Sequence, residues 1–336
     1  MRNRRIILKT RATGLPGPEH FQLVEDEAPE PGPGQVLVRN HFVSVDPAMK
    51  GWISEARNYA SVDTGATMRA FGVGEVVASR HPGIQPGEFV CGSTGWQDYG
   101  IAEESQPFFR KVDPDDGPLS TALGIFGISG LTAWFGLLDI GRPKAGETVV
   151  VSTAAGAVGS AVGQVAKIRE CRTVGITGGP AKAALCRDVF RYDAVIDYKS
   201  GTDLADALNA ACPDGIDIYY DNVGGTTLDT VMSMLNIGAR VIICGTAATA
   251  SWDPPPRGIR LERAILINRA KLQGFIIFDY ADRFGEALGE LRDWVADGRL
   301  GWREDVVHGL QRAPEALASL YQGANMGRLI IDLKRE

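Results

Sequence analysis

Glu147-Thr148-Val149-Val150-Val151-Ser152-Thr153-Ala154-Ala155-Gly156-Ala157-Val158-Gly159-Ser160 passes without a break from β-branched residues through small ones into a helical pattern. Thr148 to Val151 is a short apolar run of the kind buried on both faces of a parallel sheet. The small residues after it allow a tight turn. A backbone at Gly156 can approach a pyrophosphate, Gly159 lets the following helix pack on its strand, and the N–H groups at the helix start attract phosphate. Strand, turn and helix arrive in the order a dinucleotide site requires, and the next strand, Thr173 to Thr177, follows at the expected distance. Ala154 stands where the usual G-x-G-x-x-G pattern has its first glycine. The competing reading is an α/β crossover that binds nothing.

A chain of 336 residues exceeds one ordinary core, so two domains are expected. Hydrophobic residues at 44% and charged residues at 23% match an ordinary soluble globular protein, and no apolar run is long enough to span a bilayer. Met1-Arg2-Asn3-Arg4-Arg5-Ile6-Ile7-Leu8-Lys9 is basic without the apolar stretch of a secretory signal, and reads as a first strand. A formal net charge of -6 gives no footprint for nucleic acid. Arg257, Arg260, Arg263 and Arg269 form a local basic cluster, read as a solvated face or as a neighbour of a phosphorylated cofactor. Cys91, Cys171, Cys186, Cys212 and Cys244 show no C-x-x-C spacing and suit reduced thiols in the cytoplasm. The four histidines are equally scattered, and no metal site is expected.

The fold class is α/β: a doubly wound parallel Rossmann sheet plus a second, β-barrel-like domain. Residues 1–120 alternate short strands, such as 35–43 and 72–78, with proline- and glycine-rich turns. Residues 121–299 alternate strand and helix, with strands expected at 148–152, 173–177, 194–197, 216–221, 240–244 and 272–278 and a helical stretch from Leu228 to Leu235. Beyond Trp294 no further βα unit is expected. The stretch 326–333 reads as one closing strand that returns with 300–336 to the first domain. The ligand site is expected at the carboxyl ends of the parallel strands.

An NAD-specific sheet usually places Asp or Glu at the end of its second strand. Here that end is Thr177-Gly178-Gly179-Pro180-Ala181-Lys182, with no carboxylate and one lysine. Lys182 and the Gly178-Gly179 backbone suit a 2′-phosphate, so NADP is favoured over NAD. A solvated helix lysine is the alternative for Lys182.

Gly141-Arg142-Pro143-Lys144-Ala145-Gly146-Glu147, the Ala155 to Gly163 turn, Asp221-Asn222-Val223-Gly224-Gly225 and Val241-Ile242-Ile243-Cys244-Gly245 together resemble the medium-chain dehydrogenase/reductase superfamily. Within it the chain is similar to the zinc-free NADP-dependent double-bond reductases, the group of prostaglandin reductases, leukotriene hydroxydehydrogenases and alkenal reductases. The likeness runs from Val45-Asp46-Pro47-Ala48-Met49-Lys50 to Gly323-Ala324-Asn325-Met326-Gly327. It implies a GroES-like first domain. It also implies that Gly156, Ala157, Val158 and Gly159 bind the pyrophosphate and that Lys182 with Tyr198 holds the adenosine phosphate end. Asn222, Cys244 and Gly245 would line the ribose and nicotinamide path, Phe275, Ile276 and Ile277 would flank the nicotinamide, and Asn325 would reach in from the returning segment. Each has a plainer reading: Tyr198 as a helix-edge aromatic, Asn222 as a turn former, Cys244 as a small core residue, Phe275 to Ile277 as core strand. The Gly-His-Glu segment of zinc alcohol dehydrogenases is missing. Two tyrosine positions of some double-bond reductases look like Ala48 and about Ile267 here, with Trp52, Tyr59 and Tyr280 only weak substitutes, so no catalytic side chain is assigned.

The resemblance implies an NADPH-dependent reductase of the carbon–carbon double bond of α,β-unsaturated aldehydes and ketones, a homodimer acting on a small molecule with no nucleic-acid or membrane partner. NADPH-dependent quinone reduction is the alternative activity. An NADPH-binding protein with little catalysis is the non-enzymatic one.

Overall fold

The computed structural model describes residues 1–55, 59–249, 254 and 256–334, and the chain divides into two compact units. The first comprises Met1–Gly127 and Glu304–Glu336, the second Ile128–Arg303. The first unit extends past residue 120 because the turn Leu119–Leu123 is largely buried and packs on strands of that unit.

In the first unit, β1 (Arg2–Leu8) and β2 (Phe21–Glu27) form an antiparallel pair. The strands β3 (Gln35–Ser44), β4 (Gly72–Ser79), β5 (Phe89–Gly92), β6 (Tyr99–Glu103) and β7 (Arg110–Val112) build a second, antiparallel arrangement in which β3 pairs both β4 and β6. Its core is a knot of small branched side chains, Val36, Val38, Val76, Ile84, Val90 and Ala102. The strand Arg328–Asp332 pairs antiparallel with the end of β3, Ile330 opposite Ser44. Glu304–His308 runs parallel beside it, and the helix Ala313–Tyr321 connects the two. That is a βαβ unit beyond Trp294, which the sequence reading denied. Glu304-Asp305-Val306-Val307-His308 is an edge strand with three charged or titratable residues in five, so it carries little of the hydrophobic pattern by which strands are read.

Buried ion pairing knits this unit. Arg328 Nη1 donates to Asp46 Oδ1 at 2.6 Å, and Ser44 Oγ donates to Asp46 Oδ2 at 2.5 Å. The Tyr321 hydroxyl donates to the Pro47 carbonyl at 2.9 Å and accepts from the Lys50 N–H at 3.1 Å. Ser120 Oγ donates to Glu304 Oε2 at 2.7 Å.

The second unit is a six-stranded sheet of β8 (Thr148–Ser152), β9 (Arg172–Thr177), β10 (Ala194–Asp197), β11 (Ile216–Asp221), β12 (Leu235–Ile243) and β13 (Lys271–Gly274). Every pairing is parallel, and the order is β10-β9-β8-β11-β12-β13. The chain winds outward from β8 in one direction and from β11 in the other, so the topological switch point lies between these two strands. β-Branched residues fill β8, all five of whose residues are buried, as a central strand covered on both faces requires. Val150, Val174, Ile196, Leu208, Ile216, Tyr219 and Val241 belong to one continuous core.

Two expected boundaries move. The last strand ends at Gly274 rather than at 278, and Ile277–Arg283 is a 3-10 helix. Phe275-Ile276-Ile277 is apolar enough to continue a strand, yet β13 is an edge strand with one partner among the described residues, and the chain turns away after Gly274. The helix expected over 228–235 is Gly225–Val231 followed by one 3-10 turn, and Leu235 already opens β12, where it pairs with Ile216.

Candidate nucleotide-binding site

The carboxyl end of β8 turns at Thr153, whose φ of 54° is left-handed, and enters the helix Ala157–Ile168 at Gly156. The Gly156 N–H donates to the Thr153 carbonyl at 2.8 Å, and the Ala154 N–H to the Ile176 carbonyl at 3.0 Å, so the turn is locked to its neighbours. A Cβ on Gly159 would stand 2.3 Å from the Thr153 carbonyl oxygen and 3.0 Å from Ala154 Cα. Only glycine permits this approach of helix to turn. No side chain caps the helix at Gly156, which leaves the amides of its first turn for an anion. The cradle therefore fits a pyrophosphate on observed geometry.

At the end of β9 the structure departs from expectation. The Gly179 N–H does not face outward for a phosphate; it donates to Asp197 Oδ1 at 2.7 Å, and the Lys199 N–H reaches the same oxygen at 2.9 Å. These two amides hold the Asp197 carboxyl below its ordinary range. A carboxylate thus does border this turn, supplied by the last residue of β10 rather than by β9. It was missed because an acid eighteen residues further on carries no local signal. Lys182 lies half-buried in the first turn of the helix Pro180–Asp188. Tyr198 is 55% exposed, and a Cβ on Gly178 would meet its hydroxyl at 2.7 Å, so the ring lies directly against that glycine. Lys182 and Tyr198 therefore border the same turn.

At the switch point, the fully buried Asp221 closes β11. Its Oδ1 accepts from the N–H groups of Val223 and Gly224 and from the Tyr219 hydroxyl, each at 2.9 Å, and from Ser152 Oγ at 3.2 Å. Asn222 is tied to β8 twice: its N–H donates to Ser152 Oγ at 2.8 Å and its Nδ2 to the Ser152 carbonyl at 2.7 Å. The N–H groups of Cys244 and Gly245 donate to the Asp221 carbonyl at 2.8 and 3.1 Å. Gly156 to Gly159, Asn222, Cys244 and Gly245 thus gather at the carboxyl ends of β8, β11 and β12. Cys244 is partly exposed as a residue, but burial of its sulfur, with the Asp221 charge nearby, pushes the thiol up to about 12. It stays protonated at neutral pH and is no nucleophile.

Phe275 and Ile276 lie just past β13, and Ile277 begins the 3-10 helix. The Phe275 ring stands edge-on to Tyr280, with centroids 6.2 Å apart, and a Cβ on Gly136 would lie 2.9 Å from Phe275 Cζ. Tyr280 also stacks near Phe135 at 4.7 Å. Phe275 and Tyr280 are therefore members of one aromatic cluster of the second unit. Asn325 belongs to the first unit, where its Nδ2 donates to the Gly327 carbonyl at 2.9 Å. Ala48 precedes the helix Met49–Ile53, and Ile267 is exposed on the helix Glu262–Asn268. Tyr321, Ser152 and Asp221 received no role of their own in the sequence reading, although Ser152 and Asp221 lie in quoted stretches, since the contacts of Tyr321 with Pro47 and of Ser152 with Asp221 join distant segments. Among the described residues no group of three or more His, Cys, Asp or Glu side chains is placed to hold a metal ion.

Two family models match the chain, one described as the N-terminal domain of oxidoreductase over residues 4–109, the other as zinc-binding dehydrogenase over residues 157–293. The NADPH-dependent curcumin reductase of Escherichia coli (strain K12) is 43% identical, over 98% of this chain and 96% of its own. The NADP(+)-dependent 2-alkenal reductase of Nicotiana tabacum is 36% identical, over 99% and 98%. The crystal structure of CurA from Vibrio vulnificus superimposes with a TM-score of 0.93 at 40% identity, covering 99% of each chain. The parallel sheet with its glycine turn, joined to an antiparallel unit, defines a medium-chain dehydrogenase/reductase fold. The chain belongs to the zinc-independent, NADPH-dependent double-bond reductases of that superfamily.

Proposed function

We propose that this protein reduces the carbon–carbon double bond of α,β-unsaturated aldehydes and ketones with NADPH. The observation that carries the reading is the uncapped glycine cradle after β8, on a chain 43% identical to a curcumin reductase and 36% identical to an alkenal reductase. In this reading the amides of Gly156 to Gly159 hold the pyrophosphate, and Lys182 with Tyr198 holds the 2′-phosphate. Asn222, Cys244 and Gly245 line the ribose and nicotinamide path, and Phe275 to Ile277 flank the ring. When bound, the reduced nicotinamide supplies hydride to the substrate β-carbon. The chain's own task is to bind, orient and exclude. With no side chain assigned as its donor, the α-carbon proton comes from water in this reading.

The test is NADPH oxidation across alkenals, enones and quinones, with the product of a deuterated cofactor analysed. Cofactor deuterium at the β-carbon and an intact carbonyl are expected. Turnover of quinones alone, or deuterium on the carbonyl carbon of an allylic alcohol, would overturn the reading.

A homodimer is part of the same proposal. All four residues of β13 are exposed, and Leu266 at 75% and Ile267 at 52% exposure lie on the neighbouring helix, an open sheet edge with apolar side chains beside it that a second copy would cover. A monomeric mass by light scattering would refute it. Five free cysteines support a reducing, cytoplasmic location.

A further inference from the structure

Asp221 carries an arrangement that a turn-forming aspartate does not need. Aspartates that cap turns usually keep their carboxyl groups in water. This one is fully buried, with four donors converging on Oδ1, while Oδ2 is also buried and has no hydrogen-bond partner among the described residues. Burying a carboxyl group with one oxygen unmatched is unfavourable, so the site retains it for what Oδ1 organises. Two of the four donors are the amides of the turn after β11, and a third is Ser152, the last residue of β8. Ser152 in turn fixes Asn222. Because Asn222 Nδ2 faces a backbone carbonyl, which can only accept, the orientation of the amide is determined and its Oδ1 is the atom left for a ligand. The Asp221 carbonyl also anchors the N–H groups of Cys244 and Gly245. One residue at the switch point therefore sets the ends of β8, β11 and β12 together.

We infer that Asp221, acting through Ser152, is a positioning residue that presents Asn222 Oδ1 as an acceptor for a ribose hydroxyl of the nicotinamide half of the cofactor. The adenosine half lies outside its reach, since Lys182 and Tyr198 border a different turn. This inference rests on the proposed NADPH site and divides it into two separately supported halves.

The experiment measures two probes, NADPH and 2′-phosphoadenosine 5′-phosphate, on the full-length protein and on Asp221→Asn. Loss of the network should weaken NADPH binding roughly 10- to 100-fold, the size of a hydrogen-bonding contribution from a carboxyl group. The adenosine fragment should bind within about twofold of wild type, a split that general destabilisation would not produce. Ser152→Ala keeps the carboxyl group and removes the hydroxyl that links it to the Asn222 N–H. It should shift NADPH affinity several-fold in the same direction, and it decides the case if Asp221→Asn fails to fold. Equal loss of both probes, or no loss of either, overturns the positioning role while the NADPH site stands. Failure of the wild-type protein to bind either probe would overturn both.

Discussion

Gly159→Ala separates close packing from ligand binding. The added methyl carbon would sit 2.3 Å from the Thr153 carbonyl oxygen, 2.9 Å from its carbonyl carbon and 3.0 Å from Ala154 Cα, all backbone atoms. The turn cannot yield easily, because the Thr153 carbonyl already accepts from Gly156 and the Ala154 N–H is bonded to Ile176. Overpacking against such atoms costs about 3 kcal/mol. Replacing glycine by alanine inside a helix returns about 1 kcal/mol. The net expectation is about 2 kcal/mol lost, a fall in melting temperature of about 4–8 °C for a domain of this size. Gly156→Ala is the milder comparison: its methyl would meet the Thr153 side-chain methyl at 2.8 Å, which rotation can relieve, and the Thr153 carbonyl oxygen only at 3.1 Å, so stability should fall by about 1 kcal/mol. Scanning calorimetry and NADPH titration on both variants give the answer. Gly159→Ala melting with wild-type stability would refute the close-approach argument.

Lys182→Ala should raise the NADPH Michaelis constant roughly 10- to 100-fold while leaving NADH use nearly unchanged, since one charge-assisted contact is lost; equal losses with both cofactors would remove Lys182 from the 2′-phosphate. Burial holds the Glu304 carboxyl above its ordinary 4.5, against the opposing Ser120 hydrogen bond and Arg328 charge. The folded chain therefore keeps this proton to higher pH than the unfolded chain, and stability drains away as pH rises from 4.5 through the raised value. Denaturant midpoints should show wild type losing ground to Glu304→Gln across that window, and a difference constant with pH would contradict the assignment. Dialysis against a chelator should leave turnover intact, because no metal-holding cluster occurs among the described residues; stoichiometric zinc whose removal abolishes activity would be the contrary result.

The legible parts of this sequence were those where burial on two faces imposes composition. Strands β8, β9 and β11 follow directly from their apolar runs, and the glycine turn from the need for small residues between strand and helix. Edges were harder. β13 is exposed and its apolar continuation past Gly274 packs into an aromatic cluster, while Glu304–His308 is a polar strand defined by its neighbour rather than by its own pattern. In the candidate site, the missed features are pairings across sequence. Asp197 reaches Gly179 from the next strand, and Ser152 meets Asp221 across 69 residues. Hydrogen-bond partners of this kind depend on which strands become neighbours, and a linear reading carries no term for them.

The pairing of Arg328–Asp332 with β3, and of Arg328 with Asp46 across 282 residues, also has a meaning for biosynthesis. During translation β3 emerges long before this partner strand, which follows it by nearly 300 residues. The second unit is continuous in sequence and can fold behind it while the end of β3, Phe42 to Ser44, still lacks this neighbour. An unpaired strand end is a template for association with other chains. The nascent protein therefore passes through an interval in which the later strand, still absent, decides between a closed first unit and aggregation. Mutations that remove or disrupt that strand are thus expected to act on yield far more than on the nucleotide site.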